Sequence, residues 1–406
     1  MASIRVTNKL SKNQPEKPQR AGSLFSFSSF HFLDDGFADS IYLLLPFIAA
    51  ELHLSFSQVG LLKGVFSGAM SLFQLPMSLL GEKVGELTVI AGGNFGLTGG
   101  FLLLSLAYSF PAILFCLIFS KATAGGQHAL GSSILSKVFE SSGRRAAMGT
   151  YNFAGDIGKV CIPFLVATAI NLWGWRQGIY VLSIAGMAAG CVLWILAIKI
   201  RTAPPLAKTI AKSVQKDSRW GIQNWKSFSA LLTIGILDLS VRNVLLTFLP
   251  FLLLVKGIPE SKFGYALTLL FAGGAAGKFI CGILAERFGI ISMVIVTEAL
   301  TAVGILALLW TSSPVILILL PLVGIVLNGT SSVLYATVAE IISPGGRSRG
   351  YGLYYAITQS FGALSPMIFG LVTDSFGLSF TLLATTLMAL VTIPLSKFLV
   401  IERKKV

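Results

Sequence analysis

The sequence predicts an all-α integral membrane protein of twelve transmembrane helices in two repeats of six. Three observations carry that prediction. First, 54% of the 406 residues are hydrophobic and only 12% are charged, whereas a soluble domain is about 25% charged and 45–50% apolar. Mean hydropathy is +0.80. Second, the apolar stretches run to about 20 residues, the length of a membrane-crossing helix. They do not alternate apolar with polar, which excludes an outer-membrane barrel. Third, short motifs recur about half a chain apart.

Taken in order, residues 1–28 are expected to form a disordered cytoplasmic tail, since the first 19 are polar and basic with no apolar core of the kind a cleavable signal needs. Apolar runs then predict spans at 29–50, 57–80, 87–109, 111–136, 146–171 and 177–199. A basic linker over 200–227 follows, with Pro204-Pro205 near its start and Arg201, Lys208, Lys212 and Lys216 within it. A second set lies at 228–255, 262–284, 290–311, 314–341, 350–373 and 378–400, before a short tail at 401–406. The six-helix domains are thus 29–199 and 228–400.

Basic residues fix the expected orientation. The tail, Lys83, Lys137, Arg144-Arg145, the linker, Arg287, Arg347 and Arg403 fall on one side, against Arg176, Lys256 and Lys262 on the other. The positive-inside rule then puts both termini in the cytoplasm of a cell with the chain in its inner, or plasma, membrane. The net charge of +14 is therefore a topology signal and not a nucleic-acid footprint. Cys116, Cys161, Cys191 and Cys281 all lie inside apolar runs without a C-x-x-C pair, so neither a disulfide framework nor a metal site is expected.

Internal duplication is read from paired motifs. Glu82-Lys83-Val84-Gly85 is echoed by Glu286-Arg287-Phe288-Gly289, and Gly143-Arg144 by Gly346-Arg347. In the same register Gly149, Tyr151 and Pro163 match Gly352, Tyr354 and Pro366. Parallel six-helix repeats with a substrate site between them are a transporter architecture.

The first span is the anomaly. It carries His31, Asp34, Asp35 and Asp39, although a charge at bilayer depth costs at least ~2.5–3.5 kcal/mol. His31, Asp35 and Asp39 are spaced by four and share a helical face. Asp34 lies about 100° away round the helix. Asp35, with His31 and Asp34, is therefore a candidate to load and release a proton; the alternative is an internal salt bridge. Other spans bury Lys63, Lys121, Lys159, Arg242 and Lys278, with Asp156, Asp238, Glu298 and Glu340 as possible counter-ions. Asp238 and Arg242 are spaced as an i, i+4 pair, and Asp156 sits three before Lys159. Either such pairs neutralise most of these charges, or Lys121 and Arg242 face a cavity and bind an anion. His128 lies two turns after Lys121. Tyr151, Tyr354, Asp238 and Glu340 complete the candidate substrate contacts. Glu82, Lys83, Glu286 and Arg287 stand at helix ends, where ion pairs could gate the pathway.

The segment Gly282-Ile283-Leu284-Ala285-Glu286-Arg287-Phe288-Gly289-Ile290 resembles the loop motif G-x-x-x-[DE]-[RK]-x-G-[RK] of the major facilitator superfamily, as does the stretch from Ser78 to Glu86. Lys121-Ala122-Thr123-Ala124-Gly125 resembles its R-x-x-x-G. Gly158 and Pro163 resemble part of G-x-x-x-G-P, with Ile162 in place of the second glycine. His31, Asp35, Gly36, Leu44, Leu45 and Pro46, with Gly126-Gln127-His128, resemble the fosmidomycin-resistance-like exporters. The resemblance implies the major facilitator fold, alternating access and a span-four cation, Lys121, beside an acid of the first span. The expected function is proton-coupled efflux of a small anionic drug or metabolite. The alternative is proton symport of an organic anion such as a carboxylate or siderophore. No organic cofactor, nucleic acid or partner protein is expected. A monomer driven by the proton gradient suffices, since no Walker motif is present. No nucleophile–base set suggests an enzyme, although a transport-silent receptor built on the same bundle is a third possibility.

Overall fold

The computed structural model describes residues 17–139, 143–199, 222–342 and 347–399, almost wholly as α-helix. The expected tails over 1–16 and 400–406, and linker residues 200–221, lie outside the described residues. The helices of the first half are α1 (Lys17–Asp39), α2 (Ile41–Leu52), α3 (Phe56–Val84), α4 (Glu86–Ser105), α5 (Phe110–Ala124), α6 (Gln127–Val138) and α7 (Arg144–Lys199). The second half has α8 (Trp225–Val255), α9 (Phe263–Phe288), α10 (Ile290–Trp310), α11 (Ser313–Ile341) and α12 (Arg347–Ser396).

Local chemistry sets these boundaries. Ser55 and Gln58 form a capping box at the start of α3, which satisfies two otherwise orphaned backbone donors. Ser109 caps α5, with Pro111 in its first turn. Asn224 accepts from the Ser227 N–H at 3.1 Å, so α8 starts inside the expected linker. Gly85 (φ 101°) and Gly289 (φ 86°) make the turns that end α3 and α9. Gly174 (φ 80°, ψ 162°) folds α7 back on itself, as Gly377 (φ 83°, ψ 163°) does for α12. Only glycine adopts such angles without strain. Gly174 and Gly377 stand in the same register as Tyr151 and Tyr354, so the duplication is written in the backbone turns as well as in the motifs.

Among the described residues, nine helical stretches are long and apolar enough to cross a membrane. Two of them contain Gly174 and Gly377 and cross twice. The acid-bearing α1–α2 pair, interrupted at Ser40, supplies the remaining crossing. The bundle of twelve spans in two sets of six is therefore as the sequence predicts.

The expectation of a tail through residue 28 is corrected, because α1 begins at Lys17. Phe27 and Phe30 are fully buried and pack with Val89, Ile90, Leu130 and Ile134. The serines between them lower the hydropathy without opposing the helix, since a serine hydroxyl can bond back one turn. Ser23 Oγ does so, donating to the Gln19 carbonyl at 2.8 Å.

The halves meet at the end of the bundle that carries Glu51 and Arg176. There the N–H groups of Phe56 and Ser57 donate to Asp374 at 2.8 and 2.9 Å, a carboxylate on a helix N-terminus. Asn171 Nδ2 donates to the Ser261 carbonyl at 3.0 Å. Gly60 lies against the Pro366 carbonyl and Gly264 against the Ala167 methyl, with no room for a Cβ at either glycine. Within the first half, Arg176 Nη2 donates to Glu51 Oε1 and to the Ala107 carbonyl, each at 2.7 Å, which ties three helix ends together.

Candidate functional site

A cavity of about 260 Å³ lies between the two halves. Its first-half wall holds Asp35 and Asp39 (α1), Tyr42 (α2), Lys63 (α3), Lys121 (α5), His128 (α6), and Asp156 and Lys159 (α7). Its second-half wall holds Arg242 and Asn243 (α8), Lys278 (α9), Asn328, Ser331 and Tyr335 (α11), and Gln359 (α12). The lining therefore carries five cations against three carboxylates.

Asp35 is the hub of the first-half wall. Its Oδ2 lies 3.1 Å from His31 Nε2 and 3.2 Å from Lys159 Nζ, and its Oδ1 lies 3.5 Å from His128 Nε2. Lys159 also reaches to 4.0 Å from Asp39. Asp34 turns away from the cavity, as its place on the helical wheel requires. It is buried and takes the Lys121 ammonium at 3.3 Å. Close packing brings α1 and α7 together: a Cβ at Gly155 would meet the His31 ring and the Asp35 carboxylate, and one at Gly158 the Phe32 carbonyl. His31, Asp35 and His128 can present three ligand atoms within 4.8 Å of one another. The Lys159 ammonium already supplies positive charge at the same Asp35 oxygen.

Several sequence expectations are corrected by the geometry. Asp156 does not pair with Lys159 on its own helix. It takes Lys278 across the cavity, at 2.5 Å, and so bridges the halves. Among the described residues Asp238 and Arg242 form no ion pair: Arg242 Nη1 donates to Asn328 Oδ1 at 3.3 Å, while Asp238 accepts from Ser331 Oγ at 3.3 Å. Tyr151 and Tyr354 do not line the cavity. Both are fully buried. Tyr151 donates to the Gln127 carbonyl at 3.2 Å and stands edge-on to His31, while Tyr354 packs edge-on to Tyr335. They support the walls from behind. Glu340 is exposed near the end of α11, away from the lining. Glu82, Lys83, Glu286 and Arg287 are exposed as well, and among the described residues no ion pair joins the two motifs.

Lys63 is the cation the sequence reading undervalued. Lys121, Lys159 and Lys278 are each held by a carboxylate. Lys63 donates instead to Ser67 Oγ and lies 4.8 Å from the centre of the Tyr42 ring. A signal existed: α3 has no acid before Glu82, so Lys63 has no counter-ion on its own helix. Lys63 and Arg242 thus face the same cavity from opposite halves with neutral partners.

A twelve-span bundle with a charged cavity between duplicated halves defines a multi-pass membrane transporter for small molecules. The chain belongs to the Major Facilitator Superfamily, whose sequence profile matches residues 24–237 and again 231–406; it is a secondary transporter. It is 24% identical over 363 residues to YfnC, an MFS-type transporter of Bacillus subtilis (strain 168), covering 87% of each chain. It is 23% identical over 384 residues to the fosmidomycin resistance protein of Escherichia coli (strain K12), covering 87% of this chain and 86% of that one. The fold is also that of a bacterial homologue of the human lysosomal transporter Spinster, solved inward-facing and occupied, with a TM-score of 0.83 at 17% identity over 94% of this chain and 97% of that chain.

Proposed function

We propose that the protein exports a small organic anion in exchange for protons, by alternating access, as a monomer in the inner (plasma) membrane. The observation that carries this reading is the pair Lys63 and Arg242, two cavity cations that make no ion pair among the described residues, set beside an acid hub at Asp35. The positive-inside distribution supports cytoplasmic termini, which makes the sealed Glu51–Asp374 end extracellular. An anion entering from the cytoplasm then meets Lys63 on one half and Arg242 on the other, so binding draws the halves together. Asp35 takes up the proton on the return half of the cycle, once the anion has left, and its charge is then neutralised beside Lys159. No organic cofactor or metal takes part; the proton gradient drives the cycle. The fosmidomycin resistance of one relative and the cationic cavity both favour phosphonate-like substrates.

Fosmidomycin flux in proteoliposomes under an imposed pH gradient tests this directly. Export predicts transport against the proton flow, and accumulation with the proton flow would reverse the direction to symport. Absence of gradient-driven flux for fosmidomycin and for a panel of small carboxylates would sink the proposal. Asp35→Asn should abolish active transport and spare binding. A charge-assisted hydrogen bond is worth about 1.5–3 kcal/mol, so Lys63→Ala and Arg242→Ala should each weaken fosmidomycin binding by roughly tenfold or more. Lys121→Ala should chiefly destabilise the fold, because Lys121 is held by buried Asp34.

A further inference from the structure

The second half holds a buried acid pair that the transport cycle above does not use. Asp238 of α8 is 6% exposed and Glu298 of α10 is 1% exposed, and their carboxyl groups meet inside the bundle. Ser331 donates to Asp238 at 3.3 Å, and Thr392 of α12 lies beside Glu298. Among the described residues Glu298 Oε1 has no hydrogen-bond partner. Among the described residues the charged or titratable neighbours are Arg242 one turn along α8, Tyr335 on α11 and Tyr354 on α12. The phenols are neutral at working pH, and the guanidinium is turned to Asn328.

Two carboxylates in contact and away from water do not both ionise. We infer that Asp238 and Glu298 form a proton-binding site in the second half, and that its proton decides whether Arg242 bonds Asn328 or Asp238. With the proton bound, one carboxyl donates to the other and the pair carries a single negative charge. Arg242 then stays on Asn328, at the cavity wall. When the proton leaves, a second negative charge appears one turn from Arg242, and the i, i+4 ion pair anticipated by the spacing closes. Ser331 both lines the cavity and touches Asp238, so it offers the proton a route between pair and cavity.

The duplication gives an independent reason. Asp238 stands in the same register to Asp35 as Tyr354 to Tyr151. The first half neutralises its acid with Lys159. The second half places another acid, Glu298, against its own. An ion pair in one half has become a proton site in the other.

The inference rests on the proton-coupled reading above and adds a second titrating site to it. Infrared difference spectra of the full chain in liposomes, recorded from acid to alkaline pH, test it. The expected result is a protonated-carboxyl stretch that disappears on alkalinisation, is lost in both E298Q and D238N, and persists in D35N. A wild-type band in E298Q overturns the site. Glu298→Asp, which keeps the acid and moves the carboxyl, should shift the midpoint of the band; a wild-type midpoint also overturns it. Fosmidomycin flux in the same liposomes separates the two ideas. Gradient-driven flux together with an E298Q spectrum like wild type keeps the coupling and rejects the pair. A titrating band lost in E298Q, without gradient-driven flux, keeps the pair and rejects the coupling.

Discussion

Lys159 and Asp35 meet because glycine leaves room for them. Gly155 and Gly158 lie on the face of α7 that touches α1, and a Cβ at either would press on α1. Overpacking of this kind costs about 1–3 kcal/mol. Gly155→Ala should therefore lower the thermal midpoint and reduce transport together, since the displaced residues are His31 and Asp35. Removing one partner of a buried ion pair costs about 3–5 kcal/mol, whereas replacing both can be nearly neutral. Lys159→Ala should thus destabilise the protein more than the Asp35→Asn, Lys159→Gln double variant does, as read by thermal unfolding in detergent. Equal stability would mean that the pair contributes nothing to the fold. At this scale the sequence is legible only within a helix. Spacing by four links His31 to Asp35, and the helical wheel turns Asp34 away. Spacing alone assigns Asp156 to Lys159 and Asp238 to Arg242, and in both cases tertiary neighbours, Lys278 and Asn328, prevail. A short reach along one helix is a weak preference of about 0.2–0.5 kcal/mol, easily overridden by a partner across a cavity.

Helices are read from hydropathy, and hydropathy misleads where polar groups are satisfied internally. The serine-rich first turns of α1 read as a tail for that reason, although Phe27 and Phe30 are core residues. The spans on either side of Gly174 and Gly377 were legible, because apolar runs of double length must fold back. Their turns depend on two glycines in a backbone region that costs other residues about 1–3 kcal/mol. Gly174→Ala and Gly377→Ala should each lower the thermal midpoint. Gly149 has open space around a Cβ and lies within helical backbone, so Gly149→Ala should be tolerated. A Gly174→Ala protein as stable as Gly149→Ala would show that the bend is not needed to hold the two spans of α7 together.

For the whole molecule, the two-fold repeat makes the six-plus-six architecture readable, while the relation between the halves is a matter of contacts that no local pattern encodes. Asp374 on the α3 N-terminus, Asn171 on Ser261, and the Asp156–Lys278 bridge all cross between the halves. Phe56 adds ring contacts to Phe248 and Phe251 of α8 at the same end. Opening that end must break these ties, so they set the balance between the two access states. Each hydrogen bond to a charged group is worth about 1.5–3 kcal/mol, and about 1.4 kcal/mol is a tenfold change in an equilibrium. Asp374→Ala removes two such bonds at once. It should move the population at least about tenfold toward the state open at the Arg176 end. Spin labels at Leu172 and Lys262, which flank the Asn171–Ser261 contact on opposite halves, would report this as a longer distance component absent from the parent. Lys278→Ala should add to the shift, because it releases a further bridge nearer the cavity. An unchanged distance distribution in the double variant would place the hinge of the transition elsewhere. It would leave the apolar seam of Phe56, Gly60 and Gly264 as what holds the Arg176 end closed.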